Sequence, residues 1–377
     1  MHYQLSYWEY DAFFRDLDFL VVGAGIVGLN AALRLREKNP QARILVVDRG
    51  ALPIGASTRN AGFACFGSMT ELLDDLATLP RQEVWTLVHR RFAGLQRLRA
   101  RIGDQWLGYE ALGGYELFRD GEEETYERCM AEMDRFNREL SPLTGEKRTF
   151  QPKDEMLGTF GFAGVKHLVW NKAEGQLHTG NMMRRLLHLV QEAGIQVLGG
   201  LPVEQLVEHG VRTAQGWIIP ARYILVATNG FARQLLPEVP VEPARNQVLV
   251  TEPVAGLPFR GAFHYDRGYV YFRNVGNRIL LGGARNLAKA EETTDEFGIT
   301  GTIQDALQRL LRDVILPGKP DLALTSRWSG ILGVGANRKP IVRPVNDHTL
   351  TAVRLGGMGV AIGSLLGEEA ADVLMGC

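Results

Sequence analysis

The sequence predicts an α/β protein in which a Rossmann-like dinucleotide-binding domain is combined with a domain built on an antiparallel sheet. Three observations carry this. A four-residue apolar run leads straight into G-x-G-x-x-G and then into a stretch with helical apolar spacing. A second apolar strand follows and ends in an acid. Further on, between about 240 and 327, strand-length segments alternate with turn signals, as in an antiparallel sheet.

The first unit is "DFLVVGAGIVGLNAALRLREKNPQARILVVDRG". Phe19 to Val22 form a continuous apolar run, the mark of a buried parallel strand. Gly23 permits the tight turn, Gly25 lets backbone approach a pyrophosphate, and Gly28 lets the helix pack closely on the strand. Ile26, Leu29, Ala32, Leu33 and Leu35 give that helix its apolar side, and Asn39-Pro40 end it. "ARILVV" is the second strand. Asp48 closes it, 20 residues after Gly28, where a carboxylate can take ribose hydroxyls.

Totals narrow the class. The chain has 377 residues, enough for two interleaved or sequential domains. Hydrophobic residues make up 45% and charged residues 23%, an ordinary globular balance. The net charge of −1 gives no field that favours nucleic acid or an anionic membrane. No apolar run approaches the roughly 20 residues of a membrane span. The aromatic, acidic opening "MHYQLSYWEYDAFFRDLD" does not read as a signal peptide. Cys65, Cys129 and Cys377 are far apart and match no metal-ligand spacing, so a reducing, cytoplasmic setting is expected.

"GASTRNAGFACFGS", Gly55 to Ser68, is too polar for a core strand and too Gly-rich for a good helix. Beyond it, Val84, Leu87, Val88, Leu95, Leu98 and Ile102 share one helical face. Arg90, Arg97, Arg99 and Arg101 on that helix read as a solvated face. "NQVLVTEP", "GYVYFRN", "NRILLGGA" and "LALTSRW" read as strands. Tyr269 and Tyr271 alternate with Val270 and Phe272 and so share a face.

Over nearly its whole length the chain resembles the D-amino-acid-oxidase-like flavoprotein superfamily, with its glycine oxidase, sarcosine oxidase and γ-glutamylputrescine oxidase branches. Four patches carry the resemblance. The first is the fingerprint (Gly23, Gly25, Ile26, Val27, Gly28) with Asp48-Arg49. The second is "GASTRNAGF". The resemblance implies that Ser57 and Thr58 place hydroxyls near phosphate and that Asn60, Ala61, Gly62 and Phe63 lie along the flavin ring. The third contains Val203, where an adenine-facing valine is expected, and Thr228-Asn229-Gly230, another turn against the cofactor. The fourth is C-terminal. "RWSGILGVGANRKPIV", with Trp328 and Gly330, resembles the γ-glutamylputrescine oxidase branch. The turn Gly356 to Gly363, through Gly357, Met358, Gly359, Val360 and Ala361, leads into a helix whose N-terminus is expected at the pyrimidine edge of the flavin. There its partial positive charge would stabilise an anionic ring. The Gly-Asp pair that aromatic hydroxylase flavoproteins carry before this helix is missing.

The resemblance implies a discontinuous FAD-binding domain (1–80, 155–238 and 326–377) and an interleaved substrate domain (81–154 and 239–325). It makes Arg273, at the end of "YVYFR", the anchor for a substrate carboxylate, since a guanidinium binds one bidentately. Tyr269 and Tyr271 are expected beside it. Two departures stand out. Leu332 falls where glycine oxidase carries a second arginine, with Arg338 and Lys339 nearby, and Met358 falls where a histidine is frequent. His178 and His264 read as structural residues. Cys65 reads as a small packing residue.

The expected activity is FAD-dependent oxidation of a C–N bond in an amino acid or amine. Hydride passes to flavin N5, water hydrolyses the imine, and O2 or another acceptor such as a quinone reoxidises the cofactor, O2 giving hydrogen peroxide. FAD is expected to be noncovalent, because no cysteine stands between Cys129 and Cys377. Two rivals remain at this point: a dehydrogenase of the same fold acting on a hydroxy acid or polyol, and a flavin-binding protein without catalysis.

Overall fold

The computed structural model describes residues 4–376, so Cys377 lies outside it. Two large sheets organise the chain. The first has six strands in the spatial order Ile341–Asn346, Thr349–Val353, Tyr223–Val226, Phe19–Val22, Ile44–Val47 and Gln196–Leu198. The last five run parallel, and Ile341–Asn346 pairs antiparallel at the edge. Alternate residues feed two cores. Phe19, Val21, Ile44, Val46, Leu225 and Leu350 face a helical layer, while Leu20, Val22, Leu45, Val47, Ile224 and Val226 face the three-stranded meander over 203–220. Both faces are covered, which is why these strands are apolar throughout.

The helical layer contains Ile26–Lys38, Thr179–Glu192, Arg81–Ile102 and the closing helix Gly359–Met375. Arg81–Ile102 buries the apolar face that the sequence predicts. Of its arginines, Arg90 pairs with Glu369, Arg97 with Glu368, Arg99 with Asp104, and Arg101 with Glu37 and Glu368. The expected solvated face is thus largely a seam of ion pairs, much of it to the closing helix.

The second sheet has eight strands: Leu324–Val334, Glu242–Thr251, Arg278–Gly283, Val270–Val275, Ala262–Tyr265, Gly114–Arg119, Val165–Asn171 and Phe150–Pro152. It is antiparallel except where Ala262–Tyr265 meets Gly114–Arg119 in parallel, since these two strands come from distant parts of the chain. The boundaries drawn at 155 and 326 need correction at this sheet. Val165–Asn171 pairs with Gly114–Arg119, and Leu324–Val334 runs along Glu242–Thr251, so both belong to the eight-stranded sheet. Their registry is set by partners far off in sequence, which local composition does not reveal.

One face of this sheet packs Phe263, Phe272, Leu281, Leu249 and Tyr115 under the helix Gly301–Leu310. The other face carries a row of cross-strand partners: Val169, Glu116, His264, Tyr271, Gly282, Val248 and Trp328. That row faces the candidate site.

Candidate active site

A cavity of about 550 Å³ lies between the ends of the parallel strands and the second sheet. Ligands of open α/β sheets sit in this position, outside the carboxyl ends of the strands. Val22, Val47 and Ala227 open onto it, as do Gly23, Gly25, Ile26, Val27, Asp48 and Arg49. Gly23 has φ +112°, and a Cβ there would meet the Ala227 carbonyl at 2.8 Å. Asp48 is fixed at its strand end by accepting from the amides of Ala24 (2.9 Å) and Gly50 (3.0 Å). Arg49 lies 4.2 Å over the Phe231 ring and donates to Gln234. Val203 lines the same end, as expected. Gly28 does not line the cavity; its part is to let the helix close on the turn.

The loop from Gly55 folds over this end. The Ser57 hydroxyl oxygen accepts the Ile26 amide at 2.9 Å and faces the cavity. Thr58 departs from expectation. Its hydroxyl donates to the Pro53 carbonyl at 2.5 Å, so it is spent inside the loop and does not line the cavity. The Asn60 carboxamide donates to the carbonyls of Ala56 and Ser57 and accepts from the Gly62 amide, which holds the loop's shape. Asn60, Ala61 and Phe63 line the cavity; Gly62 is turned away, pressed against Leu177.

Thr228 and Asn229 line the next stretch. The Asn229 carboxamide oxygen accepts from the amides of Arg354 (3.1 Å) and Leu355 (3.3 Å), tying this turn to the last glycines. Gly230 supports from behind, against the Leu332 carbonyl. Trp328 also supports, its indole donating to the Arg59 carbonyl at 3.0 Å, while Gly330 lines the wall. Gly356, Gly357, Met358, Gly359, Val360 and Ala361 all line the cavity. The turn is shorter than expected: the helix begins at Gly359, and Gly363 is already helical, packed on Ile26. The Ala361 and Ile362 amides bond the Met358 carbonyl, which leaves those of Gly359 and Val360 without a helical carbonyl, and both of these residues line the cavity.

The far end is the charged one. Tyr269 and Tyr271 line it, and burial pushes the Tyr271 hydroxyl up to about 12, so it stays protonated. Arg273, the expected anchor, does not line it. It shares the tyrosines' face but lies one step further along the strand, beneath the crossing of Gly62 and Leu177. It donates to the Leu177 carbonyl at 2.9 Å, and burial lowers it to about 10. Arg285 lines the cavity instead, 5.3 Å over the Tyr269 ring, with no hydrogen bond or ion pair among the described residues. Its sequence signal was its place as the first charged residue after the apolar strand "RILLGGA".

A polar cluster forms part of the wall at this end: Glu71, Asp75 and Arg338 line the cavity, with Arg91 and Glu116 buried behind them, and of these the sequence singled out only Arg338. Arg338 bonds Asp75 at 3.2 Å and the Glu71 carbonyl at 3.1 Å. Arg91, 1% exposed, lies 3.6 Å from the other Asp75 oxygen. Burial raises Asp75 against the pull of both arginines. Burial also works against the Glu71 charge, but Arg338, His264 and the Ser68 amide outweigh it and hold Glu71 low. Glu116 accepts from the hydroxyls of Ser68 and Thr70, and burial still pushes it up to about 7. Cys65 borders the cavity; burial holds its thiol well up, as befits an unreactive packing residue. His178 is structural, accepting the Asn181 amide at a helix start, but His264 lines the cavity.

Glu116 makes a pH prediction. Its folded value is raised, so its stabilising proton is fully held below the ordinary 4.5 and is lost as pH rises through about 7. The shift corresponds to on the order of 3 kcal/mol. Melting temperature should therefore fall between pH 5 and pH 8. In Glu116→Gln that slope should flatten, and an unchanged slope would refute the assignment.

The cavity fits a flavin dinucleotide. Its volume is in range for a cofactor pocket, and a Cβ at Gly23 would close the turn that a pyrophosphate must approach. Comparisons with known proteins agree. The family model described as "DAO: FAD dependent oxidoreductase" matches residues 18–373. "Probable oxidoreductase OrdL" of Rhizobium meliloti is 23% identical over 378 residues, covering 96% of this chain and 84% of its own. Gamma-glutamylputrescine oxidoreductase of Escherichia coli is 24% identical over 388 residues, covering 95% and 84%. Glycine oxidase from Bacillus cereus superposes with a TM-score of 0.75 at 17% identity, covering 96% of this chain and 95% of that one. The chain belongs to the DAO family of FAD-dependent oxidoreductases.

Proposed function

We propose that this enzyme oxidises the C–N bond of an amino acid or carboxylate-bearing amine, using noncovalent FAD. The observation that carries the reading is Arg285: a half-buried guanidinium on the cavity wall with no carboxylate partner among the described residues. Such a group binds a substrate carboxylate through two parallel hydrogen bonds and stays charged while doing so. Relatives named glycine oxidase and gamma-glutamylputrescine oxidoreductase support the C–N class.

Bound FAD supplies the acceptor for the hydrogen and electron pair leaving the carbon next to nitrogen. The chain's own residues do the rest. Gly23 to Val27, Asp48, Ser57 and Val203 would hold the dinucleotide, and Asn60, Ala61 and Phe63 would flank its ring. The N-terminus of Gly359–Met375 presents positive potential to that end of the cavity. Arg285 would orient the substrate, between Tyr269 and Tyr271. Water then hydrolyses the imine, and O2 is the proposed final oxidant. We place the reaction in the cytoplasm, where the unpaired Cys65 and Cys129 stay reduced.

The test is anaerobic bleaching of the flavin by a panel of amino acids, N-methyl amino acids, polyamines and hydroxy acids. Amino acids are expected to bleach it and to release ammonia or a free amine. Bleaching by hydroxy acids alone would overturn the reading. Acid precipitation should leave the flavin in solution; flavin retained on the pellet would refute noncovalent binding.

A further inference from the structure

His264 is buried, 6% exposed, yet its ring lines the cavity. Buried side-chain nitrogens are normally hydrogen-bonded. Here neither Nε2 nor Nδ1 has a hydrogen bond among the described residues, and Glu174 Oε2 stands 3.6 Å from Nε2. A 3.6 Å separation is too long for a hydrogen bond but is the loosened spacing seen before a catalytic pair tightens on its ligand.

The surroundings are built for a proton. Glu116 is the cross-strand neighbour on one side and Tyr271 on the other. Glu174, 1% exposed, comes from the turn after Val165–Asn171, with its other oxygen accepting from the Phe66 and Gly67 amides. Glu71 comes from the helix Met69–Thr78, and Phe63 packs edge-on to the imidazole at 5.1 Å. Three buried carboxyl groups thus surround one imidazole, and Cys65 lies in the same field. Burial works against a charged His264, but Glu174, Glu71 and Glu116 outweigh it, so the imidazolium persists above the ordinary 6.5.

We propose that His264 takes the proton from the substrate's ammonium nitrogen, with Glu174 as the carboxylate that positions its ring. This rests on the C–N oxidation proposed above. One N–H bond of the ammonium breaks and its proton passes to the free imidazole nitrogen. The electron pair left on nitrogen then forms the C=N bond as the neighbouring C–H leaves, with its electron pair, to the bound FAD. Glu174 steadies the imidazolium as it forms, and Phe63 fixes the plane of the ring.

The experiment measures the limiting rate of anaerobic flavin bleaching against pH, with an amino acid that bleaches the wild type. The rate should rise with pH above 6.5, as His264 becomes neutral. His264→Gln should bind FAD normally, bleach about 100-fold more slowly at neutral pH, and recover in part at high pH, where free amine is abundant. Glu174→Gln should move the midpoint toward acid, because one carboxylate that favours the imidazolium is gone. A second readout needs no turnover. The His264 imidazole resonance of the FAD-free chain should titrate above 6.5 and shift to lower pH in Glu174→Gln.

A wild-type rate and profile in His264→Gln would overturn the inference and leave amine oxidation standing. A His264 midpoint that Glu174→Gln does not move would overturn the positioning role. No bleaching of the wild type by any amine would overturn the functional reading and this inference together.

Discussion

Replacing Gly28 with alanine is expected to yield a chain that no longer holds FAD. A Cβ at this position would lie 2.0 Å from the Gly23 carbonyl oxygen and 3.0 Å from Val21. Those atoms belong to the turn that the pyrophosphate must approach. The helix Ile26–Lys38 cannot retreat, because the closing helix pins its other side. A Cβ at Gly367 would already meet the Val27 carbonyl at 2.4 Å, and one at Gly363 would meet Ile26 at 2.6 Å. One added methyl therefore has to move either the turn or two packed helices. Overpacking of this kind costs about 1–3 kcal/mol where side chains can yield, and backbone yields less readily. Flavin absorbance per purified chain should be lost, with a melting temperature several degrees lower. Gly158→Ala is the matched control, since a Cβ there meets nothing within 4 Å. A Gly28→Ala protein with full flavin content would show that the helix has slack which these contacts do not allow.

The dinucleotide unit was legible because its determinants are local. Strand, turn glycines, helix and terminal acid fall within about thirty residues, and each has its own steric reason. The face shared by Tyr269 and Tyr271 was legible for the same reason, since alternation along a strand needs no partner. Alternation also put Arg273 on the correct face, but it does not say what covers that face. The cover is the Gly62–Leu177 crossing, which joins segments more than a hundred residues apart and roofs one row of the sheet while leaving the next open. The His264 cluster was hidden for a related reason. Its three carboxyl groups come from positions 71, 116 and 174, and the parallel junction between Ala262–Tyr265 and Gly114–Arg119 is what sets Glu116 beside His264. Such a junction is set by long-range registry. The strand Val165–Asn171 was likewise placed by its partner, not by its composition.

Arg285→Met should lower kcat/KM for amino acids by about 100-fold, equivalent to about 2.7 kcal/mol of lost transition-state binding. The size follows from the environment. A half-buried guanidinium without an acidic partner among the described residues has no competing ion pair to give up, so a substrate carboxylate receives its full attraction. The Tyr269 ring beneath it limits the directions in which its fork can point. Methionine keeps the length and the apolar stem and removes the charge, so the loss reads recognition and not packing. Amines without a carboxylate should be affected little, which turns the variant into a measure of the subsite: selectivity for acid over amine should collapse toward one. Arg285→Lys should recover only part, because an ammonium does not present the paired donors. Arg273→Met separates the two arginines. Its guanidinium serves the Leu177 carbonyl, so its loss should lower the melting temperature and leave KM close to wild type. If Arg273→Met raises KM strongly and Arg285→Met does not, the anchor lies beneath the Gly62 loop after all, and that loop must open for substrate to reach it.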